Sequence, residues 1–576
     1  MDVHAYLRPI RRALSDPWRD TAPVRQELFG VERLEQHAAS LAAAQPITLK
    51  PKSVTSLRLR LKDNAAVLLR AYRASAAELD QGRSIVPAAE WLLDDFPLVD
   101  EQIREIRADL PPGFYRQLPK LAEGPFAGYP RVFGIAWAFV AHTDSYFNPD
   151  TLRRFIAAYQ TVQPLTIGEL WAVAITLRIV LVENLRRLVD QMTLGRAKRA
   201  EADAFADGLL AVGHARSALE LDISARSMGP LSEIFSAQLA KRLRDLDPRT
   251  TPALGWLEER LRLQGVSVED VVRHALQRQG ASNVSVRNVM TSMRLISAID
   301  WAELFESVSL VDERLRSASG FAAMDFPTRN LYRSAIEQLS RGSSLSEIAV
   351  AECALDAAKA EPDPAAHAAD PGYHLIARGR RALERTIGFR APARLLIGRF
   401  NVRLGIGGYV GLIVLVSACL LALAMSALTG AGWAWLTIIG FLGFLPATEV
   451  ATALVNRAIT SSFGPGLLPG LALASGVPSS LRTLVVMPTL LTGEADLIEH
   501  IQRLEVHFLS GAGGDLAFAL LTDGVDADTE DLETDAPLLA IGAKAIADLN
   551  ALNGPGPEGD RFFLLHRRRR FNAGEG

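Results

Sequence analysis

Between Leu404 and Val455 the chain carries a single charged side chain, Glu449, in a run otherwise built from aliphatic, aromatic and small residues. An apolar stretch of that length cannot stay in water as a surface element, and it is long enough to cross a bilayer twice. Just before it, from Arg378 to Arg403, eight arginines (378, 380, 381, 385, 390, 394, 399 and 403) face one acid, Glu384. Such a basic flank marks the cytoplasmic side of a membrane. Tyr409–Leu428 supplies the roughly 20 apolar residues that a spanning helix needs, which places a first helix at about 408–428. Thr429–Gly432 reads as a chargeless turn, and Trp433 and Trp435 suit the far interface. A second helix is expected at about 433–455, kinked at Pro446, with Glu449 and Arg457 near the cytoplasmic headgroups. Residues 404–456 thus read as a transmembrane hairpin, and 457–480, with the broken run Phe463–Val477, as a segment lying along the interface. Gly405-Ile406-Gly407-Gly408 is no phosphate loop, because a spanning helix follows it and no strand precedes it.

The rest of the 576 residues exceeds one ordinary domain. With 62 basic and 65 acidic residues the net charge is -3, so no global field favours nucleic acid. Cys353 and Cys419 lie far apart, which offers neither a disulfide nor a metal site and fits a reducing compartment. The opening MDVHAYLRPIRRALSDPWRD lacks the apolar core of a secretory signal. Pro9, Pro17, Pro23 and Pro46 make 1–52 an irregular lead-in in which Glu27–Ala44 could form a helix. From 53 to 359 apolar residues recur three and four apart, so this region is expected to be wholly helical and cytoplasmic. Val132–Ala141 and Leu170–Val182, apolar on most faces, suit helices buried among other helices. Glu169, Arg178 and Glu183 are expected to share buried ion pairs there, with a structural role, while His142 and Asp144 form no ligand set. Ala360–Pro371 reads as a linker, and 360–403 as linker and basic juxtamembrane segment.

After the hairpin the periodicity changes. LRTLVVMPTLL, from Leu481, reads as a strand buried on both faces. Thr492 opens a helix with the stripe Leu497, Ile501, Leu504 and Phe508, ended by Gly511–Gly514, and Leu516–Leu521 is a second strand. A second helix within Thr529–Leu552 and a third strand at Arg561–Leu565 follow. The order β-α-β-α-β predicts parallel strands joined by right-handed crossovers, half of a doubly wound, Rossmann-like sheet. Ligands bind beyond the carboxyl ends of such strands, here Pro488–Thr492, Thr522–Asp526 and His566–Asn572, which should converge. Asp523 is placed to accept hydrogen bonds from a base or ribose, and Arg567–Arg570 to meet a diphosphate. The competing reading caps a turn with Asp523 and leaves the arginines to solvent or anionic lipid. Asp526-Ala527-Asp528 follows the second strand directly and reads as a cap for the next helix, not as a metal site.

Long runs carry a family resemblance. WLLDDFPLVDEQIREIRADLPPGFYRQLPKL (91–121), YPRVFGIAWAFVAHTDS (129–145), VQPLTIGELWAVAITLRIVLVENLRRL (162–188), SVRNVMTSMRLISAIDWAELFESVSLVDERLR (285–316) and FAAMDFPTRNLYRSAIEQLSRG (321–342) resemble the N-terminal region of cyclic β-1,2-glucan synthases. TLVVMPTLLTGEADLIEHIQRLEVHFL and GDRFFLLHRRRRFNAGEG are similar to the opening of that family's glycosyltransferase domain, so the resemblance spans roughly 80–576. It implies an inner-membrane enzyme that polymerises glucose from UDP-glucose, with a divalent metal (Mg2+ or Mn2+), into β-1,2-glucan that is then cyclised. It further implies that 481–576 opens a GT-A type domain with a nucleotide-sugar site at Pro488, Thr489, Asp523, Arg567 and Arg570. The metal-binding Asp-x-Asp and the catalytic base are then expected beyond residue 576, in missing C-terminal domains, and this stretch alone is expected to bind no metal and to be inactive. The rival expectation is a membrane-anchored helical scaffold with a nucleotide-sensing βαβ segment.

Overall fold

The computed structural model describes residues 18, 21–48, 50–82, 85–211, 230–244, 251–364, 366–427, 430, 432–462, 467–511 and 513–574. The proline-broken stretch 1–17, positions 429 and 431 of the expected turn and the first residues of the expected interfacial run, 463–466, lie outside the described residues. The chain divides into two compact units, Met1–Arg314 and Leu315–Gly576.

The first unit is helical apart from a short antiparallel pair, Ile47–Thr48 (β1) against Lys120–Leu121 (β2). Its principal helices are Val31–Ala44 (α1), Leu57–Asp80 (α2), Phe96–Asp109 (α3), Arg131–His142 (α4), Pro149–Gln160 (α5), Ile167–Ala211 (α6), Glu233–Arg244 (α7), Val268–Ala298 (α8) and Trp301–Val308 (α9). The first half of α6 is apolar on every side, and Leu177, Val180, Leu181, Val182 and Leu185 are all buried, so it forms the axis against which α2, α3 and α4 pack. Side-chain oxygens begin the flanking helices: Asn148 accepts from the Thr151 N–H at 2.9 Å and Ser267 from the Asp270 N–H at 3.1 Å.

The buried carboxylates of α6 are matched by cations. Glu169, fully buried, accepts from Arg131 Nε at 2.8 Å and Nη2 at 2.5 Å and from the Thr166 N–H at 3.0 Å. Glu183, equally buried, accepts from Arg60 Nε and Nη2 at 2.9 Å, from Arg187 Nε at 2.8 Å and from Asn64 Nδ2 at 2.8 Å. Burial would push the Glu183 carboxyl up, but the bonds from Arg60 and Arg187 hold it below the usual carboxylate range. Arg178 pairs with Glu105 at 2.9 Å. The three charges read from the sequence are therefore in ion pairs, each with partners on other helices rather than with one another. Asp144 and Ser145, both at positive φ (48° and 62°), turn the chain after α4. Ser285 Oγ donates to Asp144 Oδ1 at 2.5 Å and Ser292 Oγ to the Ser145 carbonyl at 2.6 Å, which ties that turn to α8. His142 stacks on Phe29 with 4.0 Å between ring centroids, and His37 meets it edge-on at 4.5 Å.

In the second unit, Phe326–Arg341 (α10), Glu347–Lys359 (α11) and Arg380–Thr386 (α12) form a helical layer ahead of two long apolar helices, Ala393–Ser426 (α13) and Trp433–Ser462 (α14). The stretch read as a linker ends in packed structure: Tyr332 Oη donates to Asp370 Oδ1 at 2.5 Å, and Pro371, Gly372 and Leu375 are buried. Two helices are long and apolar enough to cross a membrane, Gly405–Ser426 and Trp433–Ser461. They pack on each other through small residues, with Ser417, Ala447, Ala451 and Val455 buried and Tyr409 Oη donating to Asn456 Oδ1 at 2.7 Å. Their outer faces are bare, Phe441 being 82% exposed. Helix α13 starts well before the expected 408 and breaks at Gly405 (φ 56°, ψ -143°), a conformation open to glycine. Glu449 lies seven residues, about 10 Å of helix rise, before Asn456, whose side chain bonds Tyr409, and α14 continues to Ser462.

The segment after α14 does more than lie along an interface. Gly470 and Ala472 pair with Ala323–Asp325, the Asp325 N–H donating to the Gly470 carbonyl at 3.0 Å and the Ala472 N–H to the Ala323 carbonyl at 2.9 Å. Further on, Val477 and Asp515 exchange backbone bonds with the Gly513–Asp515 and Val477 chain at 3.0 and 2.7 Å. Leu467 and Leu468 meanwhile stay exposed.

Two outcomes follow for the full chain in detergent. Glu183→Ala leaves the buried Arg187 and the half-buried Arg60 without their carboxylate and should lower the unfolding free energy of the first unit by about 3 kcal/mol, read by denaturant titration, while the exposed Glu259→Ala should leave it unchanged. Burial, and then the neighbouring His142, hold His37 below its ordinary 6.5. The unfolded chain therefore takes up the proton first as pH falls, so stability should drop as pH falls below about 6.5, and His37→Gln should flatten that slope.

Candidate functional site

Thr483–Leu491 (β3), Leu516–Gly524 (β4) and Phe562–Arg567 (β5) form a parallel sheet in the order β3-β4-β5, joined through the helices Glu494–Ser510 (α15) and Asp535–Asn553 (α16). This is the expected β-α-β-α-β order. Glu494 and Asp496 occupy the first turn of α15, where the helix dipole favours acids. Crossovers of one hand place both helices on one face of the sheet. There Leu497, Ile501, Leu504, Ile546 and Leu549 enclose Phe518, Leu520 and Phe562 in one core. The other face is bare: Leu484 is 48%, Leu490 54%, Phe563 40% and Leu565 42% exposed. The expectation that β3 is buried on both faces is thus corrected, because β3 is an edge strand and only Leu491 in it is buried.

The register brings the strand ends together in two rows. Thr489 lies beside Thr522 and Thr522 beside His566; Leu490 lies beside Asp523 and Asp523 beside Arg567. In the first row, Thr522, fully buried, holds its hydroxyl 3.0 Å from His566 Nδ1. In the second, Arg567 Nη2 donates to Asp523 Oδ2, and this bond raises the arginine's pKa. The Asp523 side chain is 30% and that of Arg567 76% exposed, so both reach solvent at the end of the sheet. Pro488 pairs with Leu521, one row further back. Arg570 lies past the end of β5 and is exposed. Asp523 is thus not a turn cap; its partner is a guanidinium on the neighbouring strand.

Arg569, read from the sequence only as part of the basic run Arg567–Arg570, has a separate role that sequence reasoning missed. It donates from Nε to the Val525 carbonyl at 2.8 Å and from Nη1 to the Glu530 carbonyl and to Asp535 Oδ2, both at 2.9 Å. It therefore closes the loop that follows β4. Its bond, followed by that from the Leu532 N–H, holds the Asp535 carboxyl below the usual range. Gly524 makes room for it, since a Cβ there would fall 2.6 Å from Arg569 Nη2. The signals were a strand-end glycine and an acid opening the next helix, but the run of four arginines does not say which one folds back. Asp526 and Asp528 do not cap that helix, which starts at Asp535 after an N-cap, Thr534, that makes no side-chain cap bond. Among the described residues no group of three or more His, Cys, Asp or Glu could hold a metal ion.

A carboxylate and a guanidinium thus lie side by side at the carboxyl end of a small parallel sheet, in a mainly helical chain that also carries two helices of spanning length. No family model matches the chain. Over 561 residues the chain is 36% identical to the cyclic beta-(1,2)-glucan synthase NdvB of Rhizobium meliloti (strain 1021), a match covering 96% of this chain and 20% of that relative. The family resemblance read from the sequence is borne out, and the chain spans about a fifth of the length of the curated relative it matches.

Removing the side chain that closes the loop should loosen it without melting the sheet. In Arg569→Met, hydrogen exchange should quicken across Val525–Asp535 while the β4 amides stay protected; equal loss of protection in β4 would show that the loop supports the whole sheet.

Proposed function

We propose that this chain is part of a membrane glycosyltransferase that polymerises glucose from UDP-glucose into cyclic β-1,2-glucan, and that residues 481–576 open its GT-A type nucleotide-sugar-binding domain. The identity to NdvB over nearly the whole chain supports the family activity, and the observation that carries the site is the row Leu490–Asp523–Arg567 at the carboxyl ends of the strands. In this reading Asp523 accepts from the uracil N–H through the carboxylate oxygen that Arg567 does not hold. Arg567 and Arg570 meet the diphosphate, and Pro488 and Thr489 border the base. A carboxylate accepting from the base and guanidiniums donating to phosphate bind and orient the donor; they break no bond. In this reading these residues supply neither ligands for a divalent metal nor the catalytic base. In this reading the helical layer and the sheet face the cytoplasm at a bacterial inner membrane, and the eight arginines ahead of the first apolar helix support that orientation.

Calorimetry of the detergent-solubilised chain with UDP-glucose, UDP and GDP-mannose tests the reading. Uridine nucleotides should bind and GDP-mannose should not, and Asp523→Ala, losing a charge-assisted hydrogen bond, should weaken binding by roughly tenfold or more. Absence of binding by either form would remove the donor site from this segment and favour the helical scaffold reading.

A further inference from the structure

A second site lies at the approach to the membrane. Between α10 and the chain that enters α13 there is a groove of about 620 Å³, with Leu331, Ser334 and Arg341 on one wall and Arg380, Arg390 and Pro392 on the other. Two close approaches build it. Phe389 packs on Gly342, where a Cβ would fall 2.2 Å from Phe389 Cε2, and the Arg390 N–H donates to the Gly342 carbonyl at 2.8 Å. The Phe389–Pro392 chain is thereby held against the end of α10. Arg380 is fixed by Glu384 at 3.2 Å and by the Leu375 carbonyl at 3.3 Å, and it also donates to Gln338. Glu384 is the one acid of the basic flank, and it is shared with Arg399. Of the groove's own lining, Glu337 is the one acid, paired with Arg341 at 2.5 Å, against three arginines.

Pro392 is both a wall of this groove and the N-cap of α13, so the groove opens where the chain turns toward the membrane. The break at Gly405 separates Ala393–Leu404 from the axis of the spanning part, which frees this arginine-bearing piece to lie along a bilayer surface. We propose that the groove binds the headgroup phosphate of an anionic phospholipid from the leaflet on this side of the span. Arg341, Arg380 and Arg390 meet the phosphate, and Leu331 and Pro392 lie against the glycerol end of the acyl chains. A basic pocket continuous with a membrane helix draws its phosphate from the bilayer, where headgroups are concentrated, rather than from solution. The inference stands independently of the sugar-nucleotide reading.

Native mass spectrometry of the full chain, titrated with phosphatidylglycerol or phosphatidylcholine, tests it. Phosphatidylglycerol should be retained preferentially, and at about 1 kcal/mol per arginine the double variant Arg341→Gln/Arg390→Gln should weaken it roughly thirtyfold. Ser334→Trp, which fills the groove and leaves every charge in place, should weaken it as well. Arg381→Gln/Arg385→Gln removes the same charge from exposed positions outside the lining and should leave the preference intact. Equal retention of the two lipids, or an equal loss in the outside variant, would overturn the site in favour of general surface charge. Displacement of phosphatidylglycerol by inorganic phosphate that the chain binds equally well would overturn the lipid as the source.

Discussion

The parallel ladder that sets Thr489 beside Thr522, and Thr522 beside His566, fixes three strand ends at one edge of the sheet. Side chains alternate between the two faces, so a slip of one residue would send Phe518 and Leu520 to the bare side and take Asp523 away from Arg567. The core between α15 and α16 holds that register, because Phe518, Leu520 and Phe562 have no other apolar place to go. Entry into the sheet is constrained as tightly. Gly476 and Gly514, at φ 89° and 83°, approach so closely that a Cβ on Gly514 would fall 2.3 Å from the Val477 nitrogen. That approach lets the Val477 chain bond to Gly513 and Asp515 just before β3 and β4 begin.

The helical unit answers a different constraint. A bundle as apolar as the α4 and α6 pair could pack in several rotations, and hydrophobic contact alone distinguishes them weakly. Glu169 and Glu183 remove that freedom, since each buried carboxylate is tolerated only when its particular arginines and amides arrive. Their net contribution to stability is small compared with the penalty for every arrangement that leaves them unpaired. The pairs therefore set which helix faces meet, and hydrophobic burial supplies the driving force.

These differences in constraint explain what the residues disclosed. The hairpin was legible because span length and charge exclusion are local properties. The alternation after it was legible because strand and helix periods differ over short windows. What covers a strand is not local: LVVMPTLL reads the same whether both faces or one are packed, and here one is. Nor did the sequence disclose that Gly470–Ala472 pairs with Ala323–Asp325, a contact between segments far apart in the chain. In the site, Asp523 was found from its place at the end of an apolar strand. Which of Arg567, Arg569 and Arg570 pairs with it, closes the loop or remains exposed depends on the twist of β5 and the path after it.

Two bare surfaces in the second unit have the same physical meaning. On α14 the buried positions Ala447, Ala451 and Val455 are four apart and face α13, which puts Glu449, two positions from both Ala447 and Ala451, on the opposite side among exposed apolar residues. An acid there is costly against lipid and is ordinarily turned toward protein or water. The uncovered sheet face presents Leu484, Leu490, Phe563 and Leu565 to solvent, although parallel sheets are ordinarily covered on both sides. Strand β3 is an outer strand of this sheet among the described residues, and in doubly wound sheets helices pack on both faces. Completing the sheet at that edge would bury the bare face and close a wall beside Asp523 and Arg567. The Asp523–Arg567 pair and the uncovered face therefore belong to one three-stranded sheet whose core is packed on a single side.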